Sequence, residues 1–166
     1  TKELSYFSMI VQTVFSRLHL KSIEMTLTEL ANKDDVTDLY NQRKLYSDIT
    51  EAIDNYNDNE IPFSILFIDI DHFKLVNDGH GHLIGSELLI GVANEIRSTV
   101  RDNDLVYRYG GDEFVVLIPN TEGEEAFSVA SRILESIKGK KFVVGNNFEK
   151  HLSVSIGISD YPNSSR

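Results

Sequence analysis

A chain of 166 residues is long enough for one domain with a sizeable core and too short for two. Sixteen Lys and Arg against 26 Asp and Glu leave a net charge of −10, which excludes recognition of DNA or RNA through a broad basic surface. An acidic chain that handles nucleotide phosphates needs metal ions to bridge the two. No cysteine is present, so disulfides, thiolate zinc sites and a cysteine nucleophile are excluded, and no run resembles a signal peptide or a membrane span of about 20 apolar residues. The expectation is a soluble, cytoplasmic domain with an appendage. Thr1 in place of a methionine, and Asn163-Ser164-Ser165-Arg166 following an apolar strand, read as cuts through a longer protein.

From Glu3 to Leu30 there is neither Pro nor Gly, and apolar residues recur at roughly helical spacing through Met9, Ile10, Val14, Leu18, Leu20, Ile23, Met25, Leu27 and Leu30. One or two amphipathic helices follow from that pattern. Residues 1–33 are expected to form a signalling stalk able to pair with its twin, the alternative being a helix packed on the domain. Asp34 to Asn41 is a polar break with N-cap formers, after which Lys44 to Tyr56 reads as a helix with Leu45, Ile49 and Ile53 on one face. Ser64 to Ile70 is a short apolar run of the kind a strand buried on both faces carries. A helix is expected from about Gly85 to Val100, then strands Leu105–Tyr109 and Glu113–Ile118 in a hairpin around Gly110-Gly111. Glu122 to Ile137 is helical in pattern, and Phe142–Val144 and Leu152–Ser159 are strand-like. Strands and helices mixed without repeats predict an α/β or α+β sheet with helices packed on it.

The chemistry concentrates in two places. Asp69 and Asp71 fall on one face by the period-two rule, while Asp112 and Glu113 follow the paired glycines of Arg108-Tyr109-Gly110-Gly111-Asp112-Glu113-Phe114. If the two strands are neighbours these acids converge, and crowded carboxylates repel unless a cation lies between them. Oxygen-only ligands suit Mg²⁺. His80 and His82 have the look of a metal pair, but no Cys supports zinc.

Tyr109-Gly110-Gly111-Asp112-Glu113-Phe114 is similar to the signature of GGDEF domains, the diguanylate cyclase family. Asp34 through Arg43 resembles that family's Asp-x-Leu-Thr-Gly-Leu-x-Asn-Arg motif, and Asp69-Ile70-Asp71-His72-Phe73-Lys74 with Asn77-Asp78 and Gly81-His82 resembles its metal and nucleotide segment. The resemblance covers Asp34 to about Ser159. It implies a palm-like fold shared with nucleotidyl cyclases: a central antiparallel sheet flanked by helices, here preceded by an N-terminal helical stalk. It also implies a bacterial signalling enzyme that works as a homodimer and joins two nucleoside triphosphates into a cyclic dinucleotide; DNA or RNA is not expected as a partner, nor a membrane segment within this chain. Asp69, the Ile70 carbonyl, Asp112 and Glu113 would hold one or two Mg²⁺ ions per subunit, and either Glu113 or Asp112 would act as general base. Backbone amides near Phe73 and Lys74, with the Lys74 ammonium, would cradle the terminal phosphates. Gly111 would leave room beside the nucleotide, His82 would sit in loop structure, and Phe73 and Phe114 read more as packing residues than base stackers.

The sequence departs from this family at Ser86, where an aspartate would read the guanine edge beside Asn77. An aspartate only accepts hydrogen bonds, which suits guanine N1–H and repels adenine N1, whereas a serine hydroxyl donates or accepts. The same change resembles the hybrid promiscuous (Hypr) subgroup, which implies synthesis of 3′,3′-cyclic GMP-AMP from ATP and GTP, with cyclic di-GMP as a side product. A guanine-specific diguanylate cyclase and a silent cyclic di-GMP receptor are the alternatives. Arg101-x-x-Asp104 resembles the family's inhibitory site for cyclic dinucleotide product, and an ordinary Arg–Asp pair is the plainer reading. Asp38 and Gln42 replace a glycine and an arginine of the Asp34–Arg43 motif. The family's C-terminal helix, with its phosphate-binding Lys and Arg, has no counterpart within residues 34–166; it is expected to be disordered or to lie outside the chain, the alternative being weakened phosphate binding.

Overall fold

The computed structural model describes residues 2–145 and 148–163, with side chains described from residue 12 onward. The chain divides into two compact units, Thr1–Lys33 and Asp34–Arg166. The first is one uninterrupted helix, α1 (Lys2–Ala31). Val14, Phe15, Leu18, Leu20, Ile23, Met25, Leu27 and Leu30 on it are all exposed. Met9 and Ile10 of the expected apolar pattern lie outside the residues whose side chains are described. Among the described residues no helix is long and apolar enough to cross a membrane.

The second unit runs β1 (Tyr40–Asn41), α2 (Gln42–Asn59), β2 (Phe63–Ile70), α3 (Phe73–Thr99), β3 (Leu105–Gly110), β4 (Glu113–Pro119), α4 (Glu124–Gly139), β5 (Lys141–Val144), β6 (Phe148–His151) and β7 (Val154–Tyr161). Five strands form one sheet in the order β1-β3-β4-β2-β7, and β5 and β6 form a separate ribbon. The centre β3-β4-β2-β7 is antiparallel, as expected, while the two-residue β1 pairs parallel to β3 and makes the sheet mixed. The α/β sheet with flanking helices and an N-terminal helix is thus the observed architecture.

Alternation along the strands divides the core. On one face Leu66, Ile68, Ile70, Val106, Phe114, Val116 and Ile118 pack against Leu88, Val92 and Ile96 of α3 and Val129, Ile133 and Ile137 of α4. On the other, Phe63, Tyr107, Val115 and Leu117 pack against Leu45 of α2. Each fully buried Leu or Ile contributes about 1.5–3 kcal/mol by leaving water. β2 is fully buried on the face of Ser64, Leu66, Ile68 and Ile70, while on the other face only Phe63 is buried, so the strand expected to be covered on both sides is covered completely on one. Toward the C-terminal end of β2, Phe67 is exposed and meets Tyr109 edge-on at 5.3 Å between ring centroids. Asp69 is the next residue on that face, so the acids sit at the partly open end of the sheet.

Local chemistry sets the helix ends. Asn41 caps α2 by accepting from the Lys44 amide at 3.2 Å. α4 carries Glu124 and Glu125 in its first turn and Lys138 in its last, matching the helix dipole. α3 starts at Phe73, well ahead of the expected Gly85, and passes through a kink at Gly81, whose φ of 85° and ψ of 162° are open to glycine. His82 therefore lies on a helix just past that kink, a correction to the loop expected for it.

Candidate active site

The register of β2 against β4 places Asp69 opposite Glu113, and the Ile70 amide donates to the Asp112 carbonyl at 3.3 Å. Two elements far apart in sequence thereby bring Asp69, Ile70, Asp112 and Glu113 together. Between β3 and β4 the pairing shifts at Arg108/Gly110, and Gly111 adopts φ +53°, the left-handed region that glycine enters without strain. A Cβ at Gly110 or Gly111 would meet nothing within 4 Å, so the loop is open above the acids.

Burial, followed by the charges of Asp112 and Asp71, raises the Asp69 carboxyl above its ordinary pKa. That is the mark of anions held close without a counterion. Asp71 behaves otherwise. Hydrogen bonds from Ser153 and Ser155 hold it below the usual carboxylate range, the Ser155 hydroxyl donating at 2.7 Å. β2 has ended at Ile70, and Asp71 is committed to the β7 side.

Among the described residues no group of three or more His, Cys, Asp or Glu side chains is placed to enclose a metal. Magnesium does not need such an enclosure, since it is commonly held by one or two carboxylates plus waters and substrate phosphates. The mutual repulsion of Asp69 and Asp112 and the all-oxygen donor set fit a hard divalent cation. His80 packs its ring on Phe148 at 4.3 Å instead of pairing with His82 in a metal site.

Beside the acids, α3 presents its N-terminus. His72 caps it in the left-handed conformation without a side-chain bond; the Leu75 amide donates back to the His72 carbonyl at 3.0 Å, while the Phe73 and Lys74 amides have no acceptor within the helix. Such an end favours phosphate. Phe73 and Phe114 are buried and serve as packing, while Lys74 is exposed. A Cβ built on Gly85 would come within 2.0 Å of the Asn77 amide oxygen and 3.3 Å of the Phe73 ring. Asn77 thus occupies the space that glycine leaves, one residue from the half-buried Ser86. The kink at Gly81 is what lets Asn77 and Ser86, on the two arms of α3, share a neighbourhood.

Arg101 and Asp104 lie in the turn before β3. The Asp104 carboxylate is buried and accepts the Arg101 backbone amide at 2.9 Å, while the Arg101 guanidinium pairs with Glu125 at 2.8 Å. The two side chains are not paired with each other among these contacts.

One contact was invisible to the sequence reading. Arg108 donates through Nε and Nη2 to the Gly111 carbonyl at 3.1 and 2.8 Å, and through Nη1 to both Asp34 oxygens at 3.0 and 3.2 Å. The only available signal was position: Arg108 stands just before the glycines, and Asp34 opens a turn.

Comparison with known proteins identifies the family. Residues 31–166 match the family described as "Diguanylate cyclase, GGDEF domain". The chain is 40% identical over 132 residues to the response regulator PleD of Caulobacter vibrioides, covering 79% of this chain and 29% of that protein. It is 37% identical over 133 residues to a diguanylate cyclase of Vibrio cholerae, covering 80% of this chain and 40% of that protein. The GGDEF domain of TpbB (YfiN) from Pseudomonas aeruginosa superposes with a TM-score of 0.74 at 35% identity, covering 78% of this chain and 76% of that one. The chain spans well under half of the length of either curated relative. With the paired glycines, their acids and the sheet that carries them all in place, the chain belongs to the GGDEF family of diguanylate cyclase domains.

Proposed function

We propose that the domain is a Mg²⁺-dependent dinucleotide cyclase that condenses ATP and GTP into 3′,3′-cyclic GMP-AMP, with cyclic di-GMP as a side product. The observation that carries the base preference is Asn77 lodged against Gly85, next to Ser86. Asn77 offers an amide donor and acceptor to either purine. Ser86 supplies a hydroxyl that accepts from guanine N1–H or donates to adenine N1. A carboxylate in its place would add a charge-assisted bond to guanine worth roughly 1.5–3 kcal/mol. Its absence corresponds to about 10- to 100-fold less discrimination at one base.

In this reading Asp69, the Ile70 carbonyl, Asp112 and Glu113 would hold the metal, which when bound would neutralise the triphosphate and polarise the α-phosphate. The protein's own groups do the rest. The amides opening α3 at Phe73 and Lys74, with the Lys74 ammonium, bind the terminal phosphates. Gly111 leaves room for the nucleotide, and Glu113 or Asp112 takes the proton of the attacking 3′-hydroxyl. Each subunit offers one 3′-hydroxyl to the other's α-phosphate, so the active form is a homodimer. The exposed apolar residues of α1 support its role as a signalling helix that pairs with a second copy. Arg101 and Asp104 are assigned to product feedback, which requires the guanidinium to leave Glu125. Nucleoside triphosphate substrates place the activity in the cytoplasm.

A second reading, a guanine-specific diguanylate cyclase, is favoured by the relative of that name in Vibrio cholerae. Competition between non-hydrolysable GTP and ATP analogues separates the two. The mixed cyclase requires the two affinities to lie within about tenfold, and Ser86→Asp to widen the gap by a further 10- to 100-fold. A wild type that already rejects the ATP analogue as strongly as the Ser86→Asp variant would return the protein to the guanine-specific reading.

A further inference from the structure

We propose that Arg108, braced by Asp34, is a positioning residue that fixes the Gly111–Glu113 loop so that its carboxylates can hold metal; this role rests on the cyclase reading above. The loop has reason to open. Gly110 and Gly111 supply little packing of their own, since nothing lies within 4 Å of a Cβ built on either. Two carbonyl tethers oppose this. The Gly111 carbonyl is held from the β3 side by Arg108, and the Asp112 carbonyl is held from the β2 side by the Ile70 amide. Together they orient the peptides that carry Asp112 and Glu113.

Arg108 suits the task because its planar guanidinium presents N–H groups in a rigid fork, two of which take one carbonyl while a third takes a carboxylate. Its side chain is 12% exposed and that of Asp34 21%, so the pair is shielded from water and salt more than a surface pair. Asp34 is itself fixed. Its Oδ1 accepts the Thr37 amide at 2.8 Å and the Thr37 hydroxyl at 2.7 Å, so Arg108 leans on a rigid turn. The brace joins residues 74 positions apart. A lysine at 108 would keep the charge but not the fork.

The test uses the purified protein with Arg108→Lys, Asp34→Ala and Asp34→Asn. Free Mn²⁺ is followed by electron paramagnetic resonance, turnover by steady-state kinetics and folding by thermal melting. Arg108→Lys and Asp34→Ala are expected to weaken Mn²⁺ binding and lower kcat by about 10- to 100-fold, with nucleotide KM changed far less. Asp34→Asn, which keeps an oxygen for Thr37 and Arg108, is expected to recover most of both. Wild-type Mn²⁺ affinity in Arg108→Lys and Asp34→Ala, with only the melting temperature lowered, would overturn the proposal and leave a structural ion pair. Should Arg108→Lys not fold, the two Asp34 variants decide. A wild type without turnover refutes the cyclase reading, while the Mn²⁺ comparison still tests the brace.

Discussion

Gly85→Ala tests the contact to which the proposal assigns base recognition. The new Cβ would lie 2.0 Å from the Asn77 oxygen, 3.1 Å from its Cγ and 3.3 Å from the Phe73 ring. An ordinary contact needs roughly 3.4 Å or more, so the Asn77 amide must swing away or leave its rotamer, at a cost of about 0.5–1.5 kcal/mol. Crowding adds about 1–3 kcal/mol in a packed site, whereas alanine gains about 1 kcal/mol over glycine within a helix. The net stability change is therefore a destabilisation of about 0.5–3.5 kcal/mol. The loss falls on binding: one displaced hydrogen-bonding group costs about 0.5–1.5 kcal/mol, a rise of roughly 2- to 12-fold in nucleotide Kd or KM. Gly79→Ala is the control, since nothing lies within 4 Å of a Cβ there and the backbone is helical. It should leave binding unchanged and stabilise by up to about 1 kcal/mol. Calorimetric titration with a non-hydrolysable nucleotide and thermal melting of both variants provide the comparison. Equal nucleotide affinity in Gly85→Ala and Gly79→Ala would refute the placement of Asn77 at the base.

Other substitutions probe the frame around the site. Tyr107→Phe removes the hydroxyl that donates to the buried Asp48 carboxylate at 2.7 Å, and denaturant unfolding should show a loss of about 1–3 kcal/mol. Asp69→Asn removes a carboxylate that burial and Asp112 disfavour; it should raise the melting temperature while abolishing turnover, and a lower melting temperature would contradict the crowding argument. At Asp34, burial opposes ionisation, but hydrogen bonds from Thr37 and Arg108 outweigh it and hold the carboxyl below its ordinary value of 3.8. A depressed acid contributes stability at pH values above its unfolded pKa and loses it as pH falls through the lower folded pKa. The stability difference between wild type and Asp34→Asn should thus be constant near neutrality and shrink below about pH 4. Melting curves across that range that stay parallel would contradict the assignment.

The acids and the strands that carry them were legible because period-two burial and paired glycines are local signals. Ser64 to Ile70 reads as a doubly buried strand; it is a strand, but only the face of Ser64, Leu66, Ile68 and Ile70 is buried throughout, and Phe67 on the other is exposed. Helix α3 was underread because Gly79 and Gly81 look like breakers, yet the chain turns at Gly81 and remains helical on both sides. Two-residue β1 has no periodicity to detect, and its parallel pairing with β3 is set by tertiary structure. Strand β6 was missed because Phe148–His151 carries one apolar residue at its start and otherwise polar side chains. Asn77 and Ser86 are proposed from the sequence; that Gly85 makes room for the Asn77 amide was not legible there, because it depends on how the two arms of α3 meet across the kink. The brace from Asp34 to Arg108 depends on a contact 74 residues long, and no local pattern reports it. The same holds for Arg101, whose guanidinium turns to Glu125 on α4 instead of to its near neighbour Asp104.

The central claim, a cyclase whose Ser86 admits both purines, is met most directly by mass spectrometry of the products formed from equal ATP and GTP with Mg²⁺, in wild type and in Ser86→Asp. Mixed cyclic GMP-AMP from the wild type, shifting to cyclic di-GMP in the variant, is the expected result. Cyclic di-GMP alone from both, or no cyclic dinucleotide from either, would contradict it.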